Sequence, residues 1–166
     1  MSLPRRGCTV PLIDEGKKAP VFSLKDQEGR THRLQDYAGR PLLLYFYPKD
    51  DTPGCTVEAC GFRDALPEFR SLEAAVLGVS VLDAESKAKF ARKHGLTFPL
   101  LADEDHGVAE KYGAWQEKAR YGRHYMSVAR ITYLIGPDGR VVKRWDKVRP
   151  ETHSDEVLEA VRALSS

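Results

Sequence analysis

Two uninterrupted apolar runs limit what this chain can fold into: Pro41-Leu-Leu-Leu-Tyr-Phe-Tyr47 and Ala74-Ala-Val-Leu-Gly-Val-Ser-Val-Leu82. Neither alternates apolar with polar residues, so neither suits a strand with one face in water. Each fits a central strand covered on both faces, which requires a parallel neighbour and helices on either side. The stretch between them, residues 53–72, reads as a helix. A right-handed crossover through that helix makes the two strands parallel.

Local signals place the remaining elements. Val21-Phe-Ser-Leu24 and Arg30-Thr-His-Arg-Leu34 flank the turn cluster Asp26-Gln-Glu-Gly29 and predict a short hairpin. Leu34-Gln-Asp-Tyr37 predicts one helical turn, and Ala84 to His94 a helix closed by Gly95. Phe98-Pro-Leu-Leu101 predicts a short strand, placed at a sheet edge by Pro99. His106 to Tyr112 predicts a short helix that stops at Gly113. Residues 114–127 show no clean period and are expected to form the longest loop. Ile131 to Ile135 and Arg140 to Trp145, joined by Gly136-Pro-Asp-Gly139, predict a second hairpin. Pro150 opens a final amphipathic helix with Val157, Leu158, Val161 and Leu164 on one face. Pro67, inside the first long helix, is expected to kink or break it. The expected whole is one α/β domain over residues 20–166, a mixed central sheet with helices on both faces. An irregular lead-in, residues 1–19, precedes it.

Charge and cysteine usage narrow the function. With 26 basic and 24 acidic residues the net charge is only +2, so nothing electrostatic draws the chain to nucleic acid or an anionic membrane. No segment reaches transmembrane length and Met1 to Pro11 lacks a signal-type apolar run, so the expected location is cytoplasmic. Three cysteines make neither a disulfide framework nor a four-cysteine metal site, and the five histidines show no ligand spacing. No metal is expected. Cys8, in the lead-in, is expected to be an exposed thiol without a set role, with a second resolving thiol as the alternative.

The remaining thiols mark the chemistry. In Thr52-Pro53-Gly54-Cys55, Thr52 is an N-capping residue type, Pro53 suits the first helical position, and Cys55 falls in the first turn. There its sulfur lies near unpaired backbone N–H groups and the positive end of the helix dipole, which favours the nucleophilic thiolate. The plainer alternative, a small apolar residue under the sheet, fits the polar flanking residues poorly. Glu58, one turn on, reads by itself as a first-turn acid favoured at a helix N-terminus. Arg130 reads by itself as a solvated charge at a strand end.

Pro48, Thr52 and Cys55 stand as Pro-x-x-x-Thr-x-x-Cys, and this motif resembles that of the peroxiredoxins, thiol peroxidases on a thioredoxin-like fold. The surrounding Phe-Tyr-Pro-Lys-Asp-Asp-Thr-Pro-Gly-Cys-Thr-Val-Glu-Ala-Cys is similar to the subfamily named for the bacterioferritin comigratory protein, or Q-type. Phe62-Arg-Asp64, Val76-Leu-Gly-Val-Ser80, Phe98-Pro-Leu-Leu101 and Arg130-x-Thr132-Tyr-Leu-Ile135 extend the likeness across residues 20–148. The resemblance implies that Cys55 is the peroxidatic cysteine, attacking one oxygen of hydrogen peroxide or an organic hydroperoxide. It implies that Thr52 holds the substrate through its hydroxyl, that Pro48 shields the site, and that Arg130 brings positive charge to the sulfur. Backbone amides around Gly54 would support the developing oxyanion, and Glu58 holds a comparable motif position. No metal, haem or flavin is implied, because sulfur carries the redox change. The Q-type likeness also leans towards a monomer.

Cys60 is expected to resolve the resulting sulfenic acid. Five residues along an ideal helix separate Cα atoms by roughly 8–9 Å. A disulfide tolerates no more than about 7 Å. A Cys55–Cys60 bridge therefore requires the first turns of the helix to unwind, which Gly54 and Gly61 would ease. A thioredoxin-type dithiol would then restore both thiols, completing an antioxidant cycle. The alternatives are a one-cysteine peroxidase with an inert Cys60, a dithiol–disulfide oxidoreductase, and a redox sensor. The dithiol oxidoreductase lacks its Cys-x-x-Cys, because Thr52 stands where the other cysteine would be.

Overall fold

The computed structural model describes residues 10–165. Cys8 therefore lies outside the described residues. The first hairpin is β1 (Ser23–Lys25) and β2 (Thr31–Arg33), followed by a single 3-10 turn over Leu34–Tyr37. β3 (Leu42–Phe46), α1 (Pro53–Ser71) and β4 (Ala75–Ser80) form the first parallel crossover. Then come α2 (Ala84–His94), β5 (Leu100–Ala102) and α3 (Gly107–Lys111). A ribbon of β6 (Trp115–Arg120) and β7 (Arg123–Val128) leads to β8 (Ile131–Ile135), β9 (Val141–Trp145) and α4 (His153–Ser165).

Seven strands make one mixed sheet in the order β2-β1-β5-β4-β3-β8-β9. β3 is an interior strand of it, parallel to β4 and antiparallel to β8, and every residue from Leu42 to Phe46 is buried. Leu43 and Tyr45 point into the layer beneath α1, α2 and α4, with Phe62, Phe69, Phe90, Val157 and Val161. Leu42, Leu44 and Phe46 point the other way, against Val108, Ala109 and Tyr112 of the α3 region. The two-sided burial explains the absence of alternation in the sequence. Leu12 and Ile13 pack on that second layer, and Ala19 N–H donates to Gly139 O at 2.9 Å.

Three expectations require correction. β5 is not an edge strand, because it pairs with β4 on one side and β1 on the other. Pro99 is tolerated because the Gln27 side chain replaces strand backbone on the β1 side. Leu100 N–H donates to Gln27 Oε1 at 2.8 Å, and Gln27 Nε2 donates to Phe98 O at 3.2 Å. Residues 114–127 are not a loop but most of a β6–β7 hairpin, paired from Trp115↔Val128 to Arg120↔Arg123. Its outer half is exposed on both faces, so no hydrophobic alternation marks it. Its signature was the two-residue turn Tyr121-Gly122, with φ of 53° and 75°, the left-handed pair that tight hairpins use. Lastly, α1 runs through Pro67 to Ser71 without interruption. Pro67 sits on the solvent face of the last turns, where water can take up the carbonyl deprived of its partner.

The expected final helix begins at His153 rather than at Pro150, which stands in the turn leading into it. Its buried face is Val157, Leu158 and Val161, with Leu164 half-buried. Among the described residues, no helix is long and apolar enough to cross a membrane.

Candidate functional site

The site forms where β3, interior to the sheet, turns into α1. Thr52 holds the N-cap backbone position, with φ and ψ of −87° and 156°, and Pro53 takes the first helical position. The first helical bond runs from Thr56 N–H to Thr52 O at 2.8 Å. Helix geometry leaves the Gly54 and Cys55 N–H groups without intrahelical acceptors. The Thr52 hydroxyl does not cap them and instead donates to Lys49 O at 3.4 Å. The expected capping side chain is thus a capping backbone position only.

Cys55 is 1% exposed, and its sulfur sits at the boundary of the inner core. Arg130, at the residue before β8, reaches it: Nη2 donates to Cys55 Sγ at 3.4 Å. The other terminal nitrogen, Nη1, donates to Glu58 Oε1 at 2.8 Å. One guanidinium therefore bridges a thiol and a carboxylate carried one turn apart on α1, using the planar fork that arginine alone offers. The close approach depends on Gly54, since a Cβ there would stand 3.1 Å from Arg130 Nη2. Arg130 is thus not a solvated strand-end charge.

Glu58 is not a first-turn acid either. It lies in the second turn, 1% exposed, and its Oε2 is buried without a partner. Burial pushes its carboxyl up to about 7, against the downward pull of Arg130. Behind it, His153 is buried with Nε2 2.7 Å from Thr132 Oγ1, and burial together with Arg130 lowers it to about 4. The structure thus brings together Thr52, Gly54, Cys55, Glu58 and Arg130, with Pro48 half-buried at the start of the turn. Cys60 is apart from Cys55, on the same unbroken helix, half-buried and reduced. Among the described residues, no cluster of His, Cys, Asp and Glu is arranged to hold a metal ion.

The AhpC/TSA family model matches residues 15–144. The chain belongs to the peroxiredoxins. Peroxiredoxin Bcp of Bacillus subtilis is 45% identical over 153 residues, covering 92% of this chain and 98% of that protein. Peroxiredoxin Bcp of Escherichia coli K12 is 46% identical over 146 residues, covering 88% and 94%. Among solved structures, a bacterioferritin comigratory protein of Xanthomonas campestris, studied for alkyl peroxide reduction, superposes with a TM-score of 0.84. It is 39% identical and covers 87% of this chain and 92% of its own. Within the peroxiredoxins the likeness is to the Bcp, or Q-type, branch, and the mixed sheet with helices on both faces is their thioredoxin-like fold. The protein is a thiol peroxidase.

Sequence reasoning missed two features of this peroxiredoxin site. One is Lys118, half-buried on β6, whose Nζ donates to Val128 O at 3.1 Å. Burial and then Arg130 depress its pKa, while the Cys55 sulfur raises it. No periodicity pointed to β6, so nothing pointed to Lys118. The other is a pair of aspartates, Asp50 and Asp51, in the turn itself. Nothing local in the sequence distinguishes them from other turn residues, yet the Asp50 side chain is 2% exposed.

Proposed function

We propose that Cys55 is the peroxidatic cysteine and Cys60 the resolving one, in a cycle that reduces hydrogen peroxide and organic hydroperoxides. The observation that carries this reading is the Arg130 guanidinium 3.4 Å from Cys55 Sγ in the first turn of α1. The thiolate attacks one peroxide oxygen, the O–O bond breaks, and the departing oxygen takes a proton to leave as water or alcohol. Cys55 becomes a sulfenic acid. Arg130 and the first-turn amides hold negative charge on sulfur and on the departing oxygen. Glu58, bonded to Nη1, orients the guanidinium, the Thr52 hydroxyl holds the peroxide, and Pro48 closes one side of the site.

Cys60 then attacks the Cys55 sulfur, forming the disulfide and expelling the hydroxyl as water. The first turns of α1 unwind for this, because about five residues of intact helix hold the sulfurs too far apart. A thioredoxin-type dithiol is oxidised to its own disulfide as it restores both thiols. Each turnover consumes dithiol, which places the protein in a reducing, cytoplasmic compartment with an antioxidant role. Both thiols lie on one helix, so a monomer over residues 20–166 suffices, with 1–19 as its lead-in.

Non-reducing peptide mapping after one equivalent of peroxide tests the cycle. A Cys55–Cys60 bridge is expected, and Cys55→Ser should abolish turnover. Sulfenic or sulfinic acid persisting on Cys55 without the bridge would reduce the enzyme to the one-cysteine type.

A further inference from the structure

Asp50 and Lys87 form a buried ion pair that the cycle above does not use. Their side chains are 2% and 0% exposed, with Nζ 3.3 Å from Oδ2. Neutral donors surround the carboxylate: Tyr47 OH donates to Oδ1 at 2.5 Å and Ser86 Oγ to Oδ2 at 2.8 Å. Lys87 Nζ also donates to Ser80 Oγ at 2.5 Å, at the end of β4. A buried pair of this kind is a poor stabiliser, because desolvation cancels much of its attraction and apolar replacements often do as well. It does fix geometry. Asp50 stands in the Pro48–Thr52 turn, two residues before Thr52 and five before Cys55.

The next residue is tied in the opposite sense. Asp51, with φ of 61°, accepts from Lys93 Nζ and pairs with His94 Nε2, both at 2.8 Å. Lys87 and His94 lie seven residues, or about 10 Å, apart along α2. The turn is therefore laid along α2 and pinned near both of its ends. Arg63 of α1 donates to His94 O, so the same helix also holds α1 beyond Cys60.

We propose that Asp50 and Lys87 are positioning residues for peroxide reduction. They hold the Pro48–Thr52 turn so that the Thr52 hydroxyl and the first-turn amides meet a peroxide in line with Cys55 Sγ. The inference rests on Cys55 being the peroxidatic thiol. It also locates the effect in one step. The pair lies before the segment that unwinds, so it acts on sulfenic acid formation and not on closure of the Cys55–Cys60 bridge.

The test compares three rates in the full chain: Cys55 oxidation by hydrogen peroxide, Cys55 alkylation by iodoacetamide, and closure of the bridge. Alkylation reports the nucleophile but needs no aligned peroxide. Changing both partners avoids stranding a buried charge. For Asp50→Ala/Lys87→Met, peroxide oxidation is expected to fall about 100-fold, the scale of an ångström-sized misplacement. Alkylation and closure should stay at wild-type rates. Asp50→Asn/Lys87→Met keeps a carbonyl for the Tyr47 hydroxyl and is expected to recover part of the loss. It also serves if the alanine variant does not fold. A folded double variant with a wild-type peroxide rate overturns the inference, as does an equal fall in peroxide and alkylation rates. A wild-type Cys55 that peroxide leaves untouched overturns the peroxidatic reading first, and this inference with it.

Discussion

Glu58 and His153 are ionisable groups that burial keeps near neutrality, and their effects on stability oppose each other. The Glu58 carboxyl is raised from 4.5 to about 7. The stability it contributes is present below 4.5 and is lost as pH rises towards 7, because the buried carboxylate must then form. The His153 imidazole is lowered from 6.5 to about 4. Its contribution is present above 6.5 and is lost as pH falls towards 4, because the unfolded chain then binds the extra proton. Each shift corresponds to something on the order of 3 kcal/mol. Over the shared window they largely cancel. Glu58→Gln should remove one side of that balance, so that stability of the variant climbs between pH 4.5 and 6.5 more steeply than in the wild type. Urea unfolding at those two pH values measures it, and parallel profiles for the two proteins would contradict the assignment.

In the proposed cycle, α1 activates Cys55 when folded and lets Cys60 reach it when unwound, two tasks that compete. Its two glycines reduce its intrinsic stability by about 1 kcal/mol each relative to alanine. Each also has a contact reason to be there. A Cβ at Gly54 would crowd Arg130, and one at Gly61 would stand 2.9 Å from Ser154 Oγ of α4. Gly61 is thus a point of close approach between the two helices, immediately after Cys60. Removing the hydroxyl makes room, so Gly61→Ala should stabilise the Ser154→Ala protein by up to about 1 kcal/mol. If unwinding reaches this turn, bridge closure after peroxide should slow by about 5-fold, the factor equivalent to that energy, as read by rapid quench and mass spectrometry. Unchanged closure would place the end of the unwinding before Gly61.

At the level of the molecule, the segment that the proposed cycle unwinds lies between fixed layers. β3 is buried on both faces and hydrogen-bonded along both edges, and the Asp50 and Asp51 contacts tie the following turn to α2. Beyond Cys60, Phe62 and Phe69 anchor α1 in the core. Conversion to the disulfide form should therefore speed amide hydrogen exchange over residues 53–61 by orders of magnitude while leaving Leu42 to Phe46 protected. Uniform loosening of α1 through Phe69 would mean that the helix leaves the sheet as a whole.

Most of the framework was legible in the chain itself, because it rests on local chemistry. The two apolar runs required a covered parallel pair, Gly95 closed α2, and Gly136-Pro-Asp-Gly139 closed the hairpin of β8 and β9. The Thr52-Pro53-Gly54-Cys55 sequence put a thiol in a helix's first turn by the same kind of reasoning. What the chain could not disclose depends on partners distant in sequence. Arg130 meets Cys55 and Glu58 across more than seventy residues, Gln27 supports the strand after Pro99, and Lys87 claims Asp50 from α2. The β6–β7 ribbon escaped for a related reason, since its outer half has water on both sides and so no buried face to encode. Local propensity placed the thiol, and tertiary structure alone set the charges around it, because a buried charge is positioned by whatever satisfies it.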